Sequence, residues 1–141
     1  MEFITVEQFK EQPIEVQKVF LDWWKCDYGD LYYYNEDPLE YKDFEIIDNN
    51  LECDIEGDFG YFKSLGVIPI FTEGQLRKFI EDKFRCKNIE VIANVDTCQY
   101  EMYLYRKISS LSCERHIDGL GDNILQAYWK VACMIVKEES A

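Results

Sequence analysis

The sequence predicts an α+β fold: one small, mostly antiparallel sheet of about five strands, flanked by two N-terminal helices, one middle helix and one C-terminal helix. Three observations carry this. Two segments, Thr5-Val6-Glu7-Gln8 and Thr72-Glu73-Gly74-Gln75, each hold a complete helix-start signature. The C-terminal segment is apolar around most of a helical circumference. The stretch between the signatures, and again after the second, breaks into short β-rich runs separated by turn sequences. Helices that bracket hairpin-connected strands, instead of alternating with them, define the α+β class. With 141 residues, 48% of them hydrophobic, the chain has the size of a single compact domain spanning 1–141 and enough apolar material for a core.

The elements follow in order. In both capping boxes the threonine hydroxyl can accept an orphan helical N–H while the glutamine three residues on reaches back. Ile4 with Phe9, and Phe71 with Leu76, supply the flanking hydrophobic staples, so helices are expected over about 5–11 and 72–85. Pro13 suits the first position of a second helix, and Val16, Val19, Phe20 and Trp23 recur at helical spacing up to about Lys25. The last helix runs from Asp122, a candidate cap, to about Glu138. Leu125, Tyr128, Trp129, Ala132 and Ile135 form one apolar stripe on it, and Ile124, Ala127, Val131 and Met134 a second. A helix so apolar is either enclosed by its own chain or shared with a partner. Strands are expected at 31–34, at 44–47 and 51–56 around the turn Asp48-Asn49-Asn50, and at 67–71, where Pro69 demands an edge or a strand end. Residues 88–95 and 99–107 read as a hairpin around Asp96-Thr97-Cys98, and 108–121, without period and with two glycines, as a loop.

Charge is the strongest functional signal. The formal net charge is −13, which excludes a general nucleic-acid binder driven by phosphate contacts. Residues 27–58 hold twelve acids and a single base, Lys42. Within them Glu52, Asp54, Glu56 and Asp58 alternate with Leu51, Cys53 and Ile55, so a strand would carry its carboxylates in a row on one face, about 6.8 Å apart. Such a row resembles phosphate spacing and costs stability through repulsion. An ordinary solubilising edge is the competing reading. A calcium loop is not matched, because Asp48-Asn49-Asn50-Leu51-Glu52-Cys53 lacks the glycine required at its sixth position. By contrast 63–88 is net basic: Arg77, Lys78 and their neighbours form either a face that docks an acidic partner or a salt-bridged solvent face.

Aromatic residues add candidate contacts. Trp23 and Trp24 are adjacent and cannot share one helical face, so Trp24 is expected to be partly exposed; of the consecutive Tyr32, Tyr33 and Tyr34, at least one must point outward. His116 follows Cys113 by three residues, a spacing that could mimic a nucleophile and base but reads more simply as a polar loop. No phosphate loop, serine elbow or zinc-protease helix is present, and the six cysteines lack metal-knuckle or redox spacing, so reduced thiols are expected, with no metal, no cofactor and no catalytic residue. Met1 to Thr5 runs into a helix signal without a basic-then-apolar leader, and the apolar stretches fall short of the ~20 residues of a membrane span; a cytoplasmic location in a host cell is the expectation.

Three segments, 16–25, 72–82 and 125–133, together resemble small uncharacterised proteins of phages and prophages of Gram-positive bacteria. The resemblance covers roughly a third of the chain, omits the acidic region, and implies an accessory protein acting on host machinery without implying an active site. The expected function is a non-catalytic acidic protein that inhibits a host nucleic-acid-handling protein, of anti-CRISPR or anti-restriction type, by filling its basic groove. Its expected contact residues are Asp43, Glu45, Asp48, Glu52, Asp54, Glu56, Asp58, Trp24 and Tyr33, with no direct nucleic-acid or membrane contact. The alternatives are a homodimeric assembly module joined through Val131, Met134 and Ile135, and a small-molecule binder or small enzyme.

Overall fold

The computed structural model describes residues 2–27, 29–34, 45–47, 66–106 and 113–139. The fold is α+β, but the strands do not join into one five-stranded sheet: among the described residues there are four helices and two three-stranded antiparallel sheets. Periodicity identifies a strand without identifying its partner. Here each strand pairs within its own part of the chain, on either side of the middle helix. Two compact units result, one formed by Ile4–Phe71 and the other by Met1–Phe3 together with Thr72–Ala141.

In the Ile4–Phe71 unit, helix α1 (Val6–Lys10) starts at the predicted capping box: Thr5 Oγ1 accepts from Gln8 N at 3.1 Å and Gln8 Oε1 accepts from Thr5 N at 3.0 Å. Helix α2 (Ile14–Trp23) begins one residue later than expected, with Pro13 as its N-cap; the Pro13 carbonyl accepts from Val16 N and Gln17 N. The core is aromatic. Phe20 lies 6.3 Å from Phe9 and 5.7 Å from Phe71, and Trp23 packs edge-on against Phe71 at 5.9 Å. Strand β1 (Leu31–Tyr33) is the central strand of the first sheet, between β2 (Glu45–Ile46) and β3 (Ile68–Pro69). Pro69 therefore sits on an edge strand, where its missing N–H costs no ladder bond. Gly29, at φ +92°, makes the turn into β1 and donates its N–H to the Ile47 carbonyl. The expected strand at 51–56 and the turn at 48–50 lie outside the described residues.

In the second unit an isolated bridge pairs Phe3 with Thr72. Thr72 also caps helix α3 (Glu73–Phe84): Thr72 Oγ1 accepts from Gln75 N at 3.4 Å and Gln75 Oε1 accepts from Thr72 N at 2.9 Å. Strands β4 (Asn88–Asn94) and β5 (Gln99–Tyr105) form the predicted hairpin, in register from Asn88↔Tyr105 to Asn94↔Gln99. Asn94 fixes the turn, its Oδ1 accepting from Asp96 N and Thr97 N. Part of the segment expected to be a loop is instead a third strand, β6 (Arg115–Ile117), paired with β5. Three residues are too few to show alternation in a sequence.

Helix α4 (Ile124–Glu139) is capped by Asn123, whose Oδ1 accepts from Gln126 N at 2.9 Å, in place of the expected Asp122. It packs on α3, and its C-terminal end is tied to β6 by the forked Arg115–Glu138 pair. Both apolar stripes are buried apart from Ile124 and Met134, which are half-buried. Val131 is 0% exposed and Ile135 5%. A homodimer seam through Val131, Met134 and Ile135 would thus find only Met134 at the surface, because the chain itself encloses the other two. Among the described residues no helix is long and apolar enough to cross a membrane.

Candidate functional site

Of the nine predicted contact residues, Asp43, Asp48, Glu52, Asp54, Glu56 and Asp58 lie outside the described residues. Glu45 and Tyr33 are half-buried in the first sheet, and the Lys10 ammonium sits 5.5 Å from the centre of the Tyr33 ring. Trp24 is not a surface residue. It is 2% exposed, and its indole N–H donates to Asp30 Oδ2 at 3.0 Å. The helix ends one residue earlier, and the extended ψ of Trp24 (112°) turns the chain that follows back, so that Asp30 meets the indole that a continuing helix would have left uncovered. Asp30 Oδ2 also accepts from Asp27 N at 3.1 Å. Burial raises the Asp30 carboxyl above the ordinary aspartate range, opposed by these two hydrogen bonds.

The described residues gather chemistry elsewhere, on the outer face of the β4–β5–β6 sheet. Alternation turns Ile89, Met102, Leu104 and Ile117 inward and leaves Glu90, Ile92, Glu101, Tyr103, Tyr105 and His116 on the other side. Tyr103 and His116 are direct cross-strand partners, and their rings stack at 4.4 Å with 11° between planes. Glu101 lies beside them: its carboxylate accepts from the Tyr103 hydroxyl at 3.4 Å and from Asn94 Nδ2 at 3.2 Å, with His116 Nε2 at 3.9 Å. The Tyr103 hydroxyl is raised above the ordinary tyrosine range by desolvation first and then by the Glu101 charge. Tyr105 is raised in the same way, with Glu90 as the charge. The result is an open acidic and aromatic surface, with two carboxylates each beside a tyrosine and a histidine stacked on one of the tyrosines.

The nucleophile–base reading of Cys113 and His116 finds no support in this geometry. The Cys113 thiol is directed at backbone, 2.7 Å from the Arg115 carbonyl oxygen and 3.6 Å from that of Leu104, whereas His116 is engaged with Tyr103 and Glu101. Five cysteines are free thiols, and Cys53 lies outside the described residues. Burial pushes the Cys86 thiol up to about 11 and the Cys133 thiol up to about 12. Among the described residues no group of three or more His, Cys, Asp or Glu side chains is placed to hold a metal ion. A shallow recess at the start of α3 is lined by Glu2, Thr72, Glu73 and Gly74 and lies open to solvent.

No family model, curated protein or solved structure matches this chain.

The Glu101–Tyr103–His116 group is not legible in the sequence, where the surroundings of His116 have no period and read as a loop. The alternation Gln99, Glu101, Tyr103, Tyr105 was the available signal for half of it, since it places these four on one strand face. The basic face on α3 resolves in favour of the simpler reading for its first two members: Arg77 pairs with Glu81 at 3.3 Å and Lys78 with Asp82 at 3.0 Å, both at i,i+4 spacing.

Proposed function

We propose that this protein is a non-catalytic accessory protein of phage type that inhibits a host nucleic-acid-handling protein, of anti-CRISPR or anti-restriction kind, by placing an acidic surface in its basic groove. One observation carries the reading: twelve acids against one base in residues 27–58, with Glu52, Asp54, Glu56 and Asp58 at strand alternation. Concentrating like charge in under a quarter of a chain opposes folding, and a complementary basic groove offsets that repulsion on binding. Independently of that segment, the outer face of the β4–β5–β6 sheet presents Glu90, Glu101 and the exposed Ile92 as an acidic, partly apolar surface of its own.

The test is competition. Host proteins loaded on immobilised duplex DNA are eluted with the parent protein and with a variant carrying Glu52→Gln, Asp54→Asn, Glu56→Gln and Asp58→Asn. The parent is expected to displace a DNA-bound protein and to be captured with it in a salt-sensitive complex, while the neutralised variant does neither and keeps its melting temperature. Equal displacement by both proteins rejects the acidic segment as the contact.

A further inference from the structure

The cations on α3 and around its C-terminal end divide into two groups. Arg77 and Lys78 are neutralised on the helix by Glu81 and Asp82. Lys83, Arg85, Lys87 and Arg106 are not: among the described residues none of them has a carboxylate within ion-pair distance. The fold draws these four together. Arg106, just past the end of β5, reaches back to the last turn of α3, where its Nε donates to the Phe84 carbonyl at 3.1 Å and its guanidinium lies 4.2 Å from the centre of the Phe84 ring. Lys87 is brought alongside by the 2.7 Å bond from its N–H to the Tyr105 carbonyl. Arg85, Lys87 and Arg106 are exposed and Lys83 is half-buried. A chain of net charge −13 thus holds a local cationic surface with no acid interleaved over 83–87.

Helix polarity explains part of this. Cations near the last carbonyls of a helix complement its dipole, which accounts for Lys83 and Arg85. It does not account for Lys87 and Arg106, which lie beyond the helix. Nor does it account for the backbone of Arg85, which caps α3 in the left-handed region at φ 58°, ψ 40°, where glycine is the ordinary choice. A bulky cation is held where a glycine would relieve the backbone, which points from the conformation to a use for the side chain.

We infer that Arg85, Lys87 and Arg106, with Lys83 behind them, form a docking surface for a carboxylate-rich segment of a partner protein. Charge complementarity selects an anion, and the two guanidinium groups suit the planar, two-oxygen geometry of a carboxylate. A short acidic segment fits better than a nucleic-acid backbone. The −13 charge of the whole chain repels a polymer carrying a phosphate every few ångströms, whereas a protein partner can bring a few carboxylates on an otherwise neutral or basic body. The inference stands apart from the acidic-surface function and does not require it.

The probe is a labelled peptide carrying three consecutive glutamates in an otherwise neutral body, titrated into the full chain at low ionic strength beside a control with glutamines in their place and a longer single-stranded oligonucleotide with a phosphate at every step. The peptide is expected to bind, the control not to bind, and the oligonucleotide to bind more weakly. Arg85→Gly, Lys87→Gln and Arg106→Gln are each expected to weaken peptide binding by about fivefold, the loss of one charge-assisted contact. Arg77→Gln, which touches only the salt-bridged helix face, is expected to leave it unchanged. The Arg85→Gly variant should melt at or above the parent temperature, separating the side chain's use in binding from any use in folding. Absence of peptide binding, equal binding by the three variants, or tighter binding of the oligonucleotide overturns the assignment. So does a lower melting temperature for Arg85→Gly, because the arginine would then serve the fold.

Discussion

Introducing one carboxylate at two neighbouring positions of α4 should have opposite consequences. Val131 is fully enclosed. Val131→Glu forfeits the burial of the valine side chain, about 1.5–3 kcal/mol. It also places a carboxyl where no charge is solvated. Keeping that group protonated at neutral pH raises its pKa by roughly three units, or about 4 kcal/mol. The combined cost of about 5.5–7 kcal/mol is comparable with the roughly 5–15 kcal/mol that holds a typical domain folded. Met134, three residues on, is half-buried, and its sulfur lies 3.5 Å from Arg115 Nη2. A carboxylate introduced there by Met134→Glu meets a guanidinium at the solvent edge, worth about 0–1 kcal/mol, against an i,i+4 repulsion from Glu138 of about 0.2–0.5 kcal/mol and the loss of part of the methionine's burial. The net change is within about 1 kcal/mol. Far-UV circular dichroism, thermal melting and light scattering on both variants provide the measurement. Val131→Glu is expected to be unfolded or aggregated, and Met134→Glu to be folded with a melting temperature within a few degrees of the parent's. A folded Val131→Glu that melts near the parent would refute the enclosure of α4, and a collapse of Met134→Glu would show that the boundary of its buried face is misplaced.

Further outcomes follow from other contacts. Thr72→Ala removes the hydroxyl that caps α3 and should cost about 1 kcal/mol, lowering the melting temperature by roughly 3–5 °C. Asp30→Asn keeps an oxygen for Trp24 and Asp27 while removing a charge that burial disfavours. A carboxyl raised in the folded state loses stability as pH climbs from the unfolded value through the folded one, so the variant should match the parent below about pH 4 and exceed it at neutral pH, as read by melting temperature across that range. Native-state alkylation followed by mass spectrometry should label the exposed Cys98 first, while Cys86 and Cys133, buried and raised to about 11 and about 12, react only after denaturation.

What could be read from the chain alone was whatever rests on neighbouring residues. Both capping boxes formed as their four-residue patterns required, because the donors and acceptors involved lie within three positions of one another. The β4–β5 hairpin was legible for the same reason: alternation and turn residues are contiguous. The assignments that failed depend on distant residues. Trp24 turns inward because Asp30, six positions on, offers its indole an acceptor, and nothing in the helical spacing of 16–23 encodes that. Strand β6 is defined by its partner β5, since Arg115-His116-Ile117 has too few residues to show a period. The division of the strands into two sheets likewise rests on which strands pair, which alternation leaves open. As for the candidate site, the sequence located the charge, whereas the stacking of His116 on Tyr103 emerged only from the register of two strands.

The meeting of Phe3 with Thr72 bears on the order in which the chain assembles. Ile4 N donates to the Phe71 carbonyl at 3.0 Å, so the Ile4–Phe71 unit begins and ends at one place, while the bridge from Phe3 to Thr72 closes the other unit immediately beyond. Topologically the first unit is an insertion into the second. During synthesis, residues 4–71 emerge in full before α3 exists, and their folding brings Phe3 to within reach of Thr72 at no further cost in chain entropy. Replacing residues 4–71 with a two-residue turn would then excise a whole unit, because Phe3 and Thr72, the ends it would connect, are already antiparallel partners.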